Sequence, residues 1–161
     1  MMRAFLPTPD DTDRIAAVFA STRPPRAIVH LRGDLGAGKS TFARALLRAL
    51  GVRGAIRSPT YTLVERYPLD DGGDALHLDL YRIGDPGELE FLGLDASEGT
   101  LWLVEWPERG GRALPQPDID VLLALEGDGR SLDAVAGSPV GDEWLARLAG
   151  HPHLHAFVPP R

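Results

Sequence analysis

The chain has no cysteine and no asparagine, and of its 17 lysine and arginine residues only Lys39 is lysine. Without cysteine there are no disulfides, zinc–thiolate sites or thiol nucleophiles, a composition compatible with a cytoplasmic protein. Without asparagine there is no Asn-Lys-x-Asp element, the usual reader of guanine. No apolar run approaches the length of a membrane span, and residues 1–7 lack the apolar stretch and cleavage site of a signal peptide. Basic residues are not clustered either. With a net charge of −6 and scattered arginines, a primary role in gripping DNA or RNA through phosphates is disfavoured, because that affinity needs a concentrated basic face. At 161 residues the expectation is a single domain spanning 1–161 with a sizeable core.

What is present centres on the solitary lysine. It lies in Gly33-Asp34-Leu35-Gly36-Ala37-Gly38-Lys39-Ser40, which fits G-x-x-x-x-G-K-[ST], the phosphate-binding loop. An ammonium is a compact point charge that reaches phosphates from inside a glycine cradle, which a planar guanidinium does less well. Residues 27–31 before the loop read as a strand. Residues 41–50 after it read as a helix closed by Gly51. Strand, loop and helix in that order aim backbone N–H groups and the helix dipole at an anion. Since the guanine-reading element is missing and the lysine is engaged here, ATP is the expected nucleotide.

Elsewhere, residues 10–13 offer N-caps for a helix over 14–20, which Pro24-Pro25 ends. Residues 63–80 read as a hairpin around the turn 70–74, with Asp79 near its far end. A short helix is expected at 87–91, and a strand buried on both faces at 100–104, ending in Glu105. Two strands, 120–125 and 131–136, flank Gly127-Asp128-Gly129, and a last helix covers 142–149. The tail 151–161 is expected to be frayed and flexible; its His151, His153 and His155 suit either metal binding or a polar terminus. The fold class is α/β, with a mixed central sheet containing an antiparallel part.

Hydrolysis of a nucleotide needs the phosphates fixed, magnesium held and a water oriented. The backbone of Gly33 to Lys39, running into Ser40 and Thr41, serves the first need, and the Ser40 hydroxyl is placed to ligate magnesium. Magnesium takes only one or two carboxylates, and two close apolar strands: Asp79 and, better, Glu105. Each would otherwise be a carboxylate ending a strand at the surface. Trp106 suits stacking beside a nucleotide or packing in a core or interface equally. Thr60 and Thr62 fit a segment that senses the outer phosphate, or plain hydroxyls at a strand start. Arg109, Arg112 and Arg130 are phosphate or base contacts, or solvated side chains.

Several segments together resemble one family. They are the phosphate loop, Ser58-Pro59-Thr60-Tyr61-Thr62-Leu63-Val64, His77-Leu78-Asp79-Leu80-Tyr81-Arg82, Asp85-Pro86-Gly87-Glu88-Leu89-Glu90-Phe91-Leu92-Gly93 and Leu103-Val104-Glu105-Trp106-Pro107. In order and spacing the chain is similar to the bacterial TsaE (YjeE) ATPases. The resemblance implies a phosphate-loop NTPase-like three-layer fold and a slow ATPase bound to Mg2+ and ATP or ADP. It further implies docking on the TsaD–TsaB pair during threonylcarbamoyladenosine synthesis on tRNA, with tRNA held only indirectly, through the partners. By position it assigns Lys39, Ser40 and Glu105 to phosphate and magnesium, and Asp79 and Trp106 to activity. Arg130 is assigned to the nucleotide and Thr12 to the neighbourhood of the base. Ser40 replaces the family's usual threonine and keeps its oxygen. A small-molecule kinase of the nucleotide-kinase kind is the competing reading, motivated by size, the loop and the Arg109–Arg112 pair.

Overall fold

A computed structural model describes residues 1–59, 62–92, 94–95 and 99–157; Thr60 and residues 158–161 of the tail lie outside these. One mixed sheet of seven strands runs through the molecule. The strands are β1 (Met2–Leu6), β2 (Ala27–Arg32), β3 (Val64–Pro68), β4 (Asp74–Asp79), β5 (Leu101–Glu105), β6 (Ile119–Glu126) and β7 (Gly129–Ala136), in spatial order β1-β7-β6-β2-β5-β4-β3. β2 is parallel to β5 and β6, and β5 is parallel to β4. Both flanks turn antiparallel, as β3–β4 on one side and as β6–β7–β1 on the other. The expected hairpin over 63–80 is the β3–β4 pair, and the mixed sheet is the α/β arrangement read from the sequence.

Alternation along the parallel strands builds two cores. Ala27, Val29, Leu31, Leu101 and Leu103 face the helices α1 (Pro9–Thr22), α2 (Lys39–Ala49) and α4 (Pro139–Ala149), where Ile15, Phe19, Phe42, Leu46 and Trp144 are fully buried. Phe19 anchors the layer edge-on to Phe42 and Trp144, with ring centroids 5.3 and 5.8 Å apart. Leu76, Leu78, Leu80, Trp102 and Val104 form the second core with Leu89 of α3 (Gly87–Glu90) and Leu114. This second layer is thin: α3 and two single-turn 3-10 segments, Pro107–Arg109 and Gly111–Ala113, are its helical parts. On the antiparallel half, Leu122 and Val135 stand exposed.

Element ends shifted where caps decided them. α1 starts at Pro9 behind Thr8, whose backbone N–H and hydroxyl both donate to the Asp11 carboxylate. α4 starts at Pro139 behind Ser138, which accepts the Gly141 N–H at 3.1 Å. The tail differs from expectation through residue 157. Leu154 and Phe157 are buried against the first core, and the Phe5 N–H donates to the Phe157 carbonyl at 2.8 Å. Two apolar side chains with a place to bury outweigh a polar composition.

His30 on β2 is also buried. Burial pushes its imidazole below the ordinary value of 6.5, against the opposing pull of Asp120. The unfolded chain therefore takes up this proton at higher pH than the folded one. Stability should fall as pH drops from about 6.5 toward the folded value, by at most about 1.4 kcal/mol per pH unit from this group. Urea unfolding at stepped pH should give His30→Leu a shallower acid loss than the parent; identical slopes would remove His30 from the account.

Candidate functional site

The parallel strands β2, β5 and β4 end side by side, and their C-terminal ends carry the expected site residues. The register places Glu105 opposite Leu31 of β2 on one side and Asp79 of β4 on the other. Both carboxylates are buried, at 2% and 7% exposure.

The loop from β2 to α2 makes its close approaches through glycine. Gly33 has φ +144°, and a Cβ there would lie 2.4 Å from the Leu123 carbonyl oxygen of β6, so no other residue fits without moving the sheet. Gly38, at φ +110°, is the N-cap of α2. Whereas Ser138 and Asp11 serve α4 and α1, among the described residues no side chain caps α2, and its first turn holds no acid. Its leading N–H groups have no partner within the helix, and the positive end of its dipole lies uncompensated by a carboxylate in that turn.

Lys39 is 5% exposed. Its ammonium donates to the Gly33 carbonyl and, at 2.9 Å, to that of Asp34, and lies 4.4 Å from the centre of the Trp106 ring. Burial holds the lysine below the ordinary value of 10.5, opposed by the charges of Glu105 and Asp79. An ammonium has three donors; bonding two to the loop's own carbonyls sets the direction of the head group.

The Ser40 hydroxyl donates to Glu105 Oε1 at 2.7 Å. The other oxygen, Oε2, meets His77 Nε2 at 2.6 Å. Asp79 Oδ1 accepts the Tyr81 N–H at 3.1 Å. Trp106 follows Glu105 with a left-handed backbone, φ +57°, a conformation that costs roughly 1–2 kcal/mol outside glycine. It turns the chain out of β5 and sets the indole 5.0 Å from the Tyr81 ring. The Arg109 guanidinium lies over the same two rings, at 5.1 and 5.7 Å.

These groups line a cleft of about 510 Å³. One wall is Leu35, Gly36, Ala37, Gly38, Lys39, Ser40 and Thr41; Asp79, Glu105, Tyr81 and Trp106 form another. Leu6, Pro7, Thr8, Pro9 and Thr12 also line it, with Asp128 of the β6–β7 turn and Gly129 and Arg130 at the start of β7. Arg130 lies across the loop, its Nη2 3.4 Å from the Gly36 carbonyl. Gly33 and Asp34 stand behind the wall, supplying carbonyls to Lys39. Arg112 is apart from this group, lining a smaller cavity of about 200 Å³ in the second core.

The donor set suits a hard cation only in company. Ser40 and Glu105 offer two oxygens, and among the described residues no cluster of three or more His, Cys, Asp or Glu could hold a metal unaided. Magnesium behaves in that way, completing its shell with phosphate oxygens and water.

The sequence reading missed His77. A histidine inside an apolar strand signals nothing by itself, and its partner lies 28 positions downstream. Only the β4–β5 register brings them together.

Comparison with known proteins places the chain in a family. A family model described as threonylcarbamoyl adenosine biosynthesis protein TsaE matches residues 6–132. The tRNA threonylcarbamoyladenosine biosynthesis protein TsaE of Haemophilus influenzae is 41% identical over 139 residues, 84% of this chain and 87% of that one. Its counterpart in Aquifex aeolicus is 40% identical over 128 residues, 78% and 87% of the two chains. The crystal structure of Bacillus subtilis YdiB, 26% identical, superposes with a TM-score of 0.76 over 93% of this chain and 95% of that one. A phosphate loop, two buried carboxylates ending adjacent parallel strands and this breadth of likeness lead to one assignment: the chain belongs to the TsaE family of threonylcarbamoyladenosine biosynthesis proteins.

Proposed function

We propose that the chain binds Mg-ATP in this cleft and hydrolyses it slowly, as the ATPase that supports turnover of the TsaD–TsaB complex in tRNA threonylcarbamoyladenosine modification. One observation carries the reading: in a TsaE-family chain, Lys39 and the Ser40–Glu105 pair converge at a helix N-terminus that has no side-chain cap. The stretch from Leu35 to Thr41 would hold the triphosphate, its charge met by the amides of the first turn of α2 and by the Lys39 ammonium. Ser40 and Glu105 hold the magnesium, which when bound neutralises charge developing on the phosphates. Asp79, on the neighbouring strand, supplies the second carboxylate needed to orient water. Arg130, beside the loop, and Thr12, in the lining of the same cleft, would contact the nucleotide.

The net charge of −6 supports leaving tRNA to the partners. Among the described residues no helix is long and apolar enough to cross a membrane, and work on tRNA fits the cytoplasm. The purified chain should release heat with Mg-ATP and turn over slowly, then faster once TsaD and TsaB are added. Fast solitary turnover indifferent to those proteins would contradict the reading. Label appearing on a nucleoside or small alcohol would favour a kinase instead.

A further inference from the structure

We propose that His77 is a positioning residue, its Nε2–H fixing the Glu105 carboxylate so that Oε1 is presented to Ser40. The proposal deepens the Mg-ATP reading above and rests on it. The two side chains are 1% and 3% exposed, so water is not at hand to replace a lost bond. A carboxylate that is to hold magnesium must act only as an acceptor; on the Mg-ATP reading the 2.6 Å contact then puts the hydrogen on Nε2. Among the described residues Nδ1 is buried with no partner, which leaves Glu105 as the polar contact that orients the ring. The backbone explains the reach. His77 is in register with Leu103 on β5, and Glu105 is two residues further along the same face.

A free carboxylate turns easily about its last torsion, which is broad and two-fold. Bonded at Oε2 by His77, this one is held with Oε1 toward the Ser40 hydroxyl, 2.7 Å away. Without the imidazole, Oε2 would be a buried oxygen with no donor. The carboxylate would then turn to find one, drawn by the Lys39 ammonium whose charge it already feels. The pairing of Ser40 and Glu105 as a two-oxygen grip is thus a property of three residues.

The test uses His77→Leu, which removes the donor, and His77→Gln, whose amide nitrogen donates from near the position of Nε2. Calorimetry would measure ADP and ATP binding with and without Mg2+, beside partner-stimulated turnover. In His77→Leu, metal-free ADP binding should stay within about twofold of the parent. The affinity gained on adding Mg2+, and the turnover, should fall about 10- to 100-fold. His77→Gln should recover most of both. A purely structural histidine would lower metal-free and metal-dependent binding together. An unchanged magnesium response in His77→Leu overturns the positioning role and leaves the Mg-ATP reading standing; a parent chain that binds no Mg-ATP overturns that reading and this one with it. Should His77→Leu fail to fold, 15N spectra of the parent imidazole decide: an Nε2–H tautomer with a hydrogen-bonded proton supports the proposal, and an Nδ1–H tautomer overturns it.

Discussion

Lys39→Ala is expected to weaken Mg-ATP binding by about 2–4 kcal/mol, roughly 30- to 700-fold, with little change in fold. Removing the ammonium takes away a charge-assisted contact to the outer phosphates and leaves the anion with backbone amides and Arg130. The protein itself has little to lose. The lysine is held below its ordinary value by burial, so its charged form is a modest burden on the folded state, and its bonds go to two carbonyls of its own loop. Titration calorimetry on parent and variant measures the first effect and thermal unfolding the second. A variant that binds Mg-ATP as the parent does would remove the lysine from the phosphate site.

Glu105→Gln should act on the other side of the ledger, sparing metal-free nucleotide binding while weakening the magnesium response and abolishing stimulated turnover. The amide is isosteric and can keep both neighbours: its oxygen accepts from His77, and its nitrogen donates to the Ser40 hydroxyl, which can reverse direction. What disappears is the negative charge that favours magnesium, and with it about 3 kcal/mol or more of barrier lowering, on the order of 100-fold in rate. Metal-free ADP binding and the melting temperature should match the parent closely. Asp79→Ala, on the adjacent strand, should likewise spare folding and most binding while abolishing stimulated turnover. If Glu105→Gln unfolds, the carboxylate was holding the sheet together instead.

Local signals made most of the site legible in advance. The phosphate loop declares itself because glycine spacing, one lysine and a strand–helix frame all lie within a few residues. Glu105 was legible because a fully apolar run of four residues, Leu101 to Val104, belongs in the interior of such a sheet, and the residue that ends it must reach the strand tips. The pieces that escaped depend on long-range pairing. Met2–Leu6 has too few residues to show a period, and it is a strand only because β7, with Asp133 bonded to Arg3 across 130 positions, completes it. Leu154 and Phe157 sit in a histidine-rich tail that reads as solvent-facing until the edge of that strand is there to receive them. Arg130 could be linked to the nucleotide through family likeness but not through spacing, since it meets Gly36 only after the β6–β7 turn folds over the loop.

The placement of that first strand bears on how the chain acquires its activity. During synthesis the phosphate loop emerges early, followed by the strands that bring Asp79 and Glu105 beside it. Residues 2–6, which lead into the cleft-lining stretch from Leu6 to Pro9, are made before any of these, yet their sheet partners, residues 130–134, are made long after them. Closing so long a segment is slow compared with local helix formation. A fragment ending near residue 110 would lack both β6, the neighbour of β2, and β7, the neighbour of β1, so the lining of the cleft is complete only once residues 119–136 are in place.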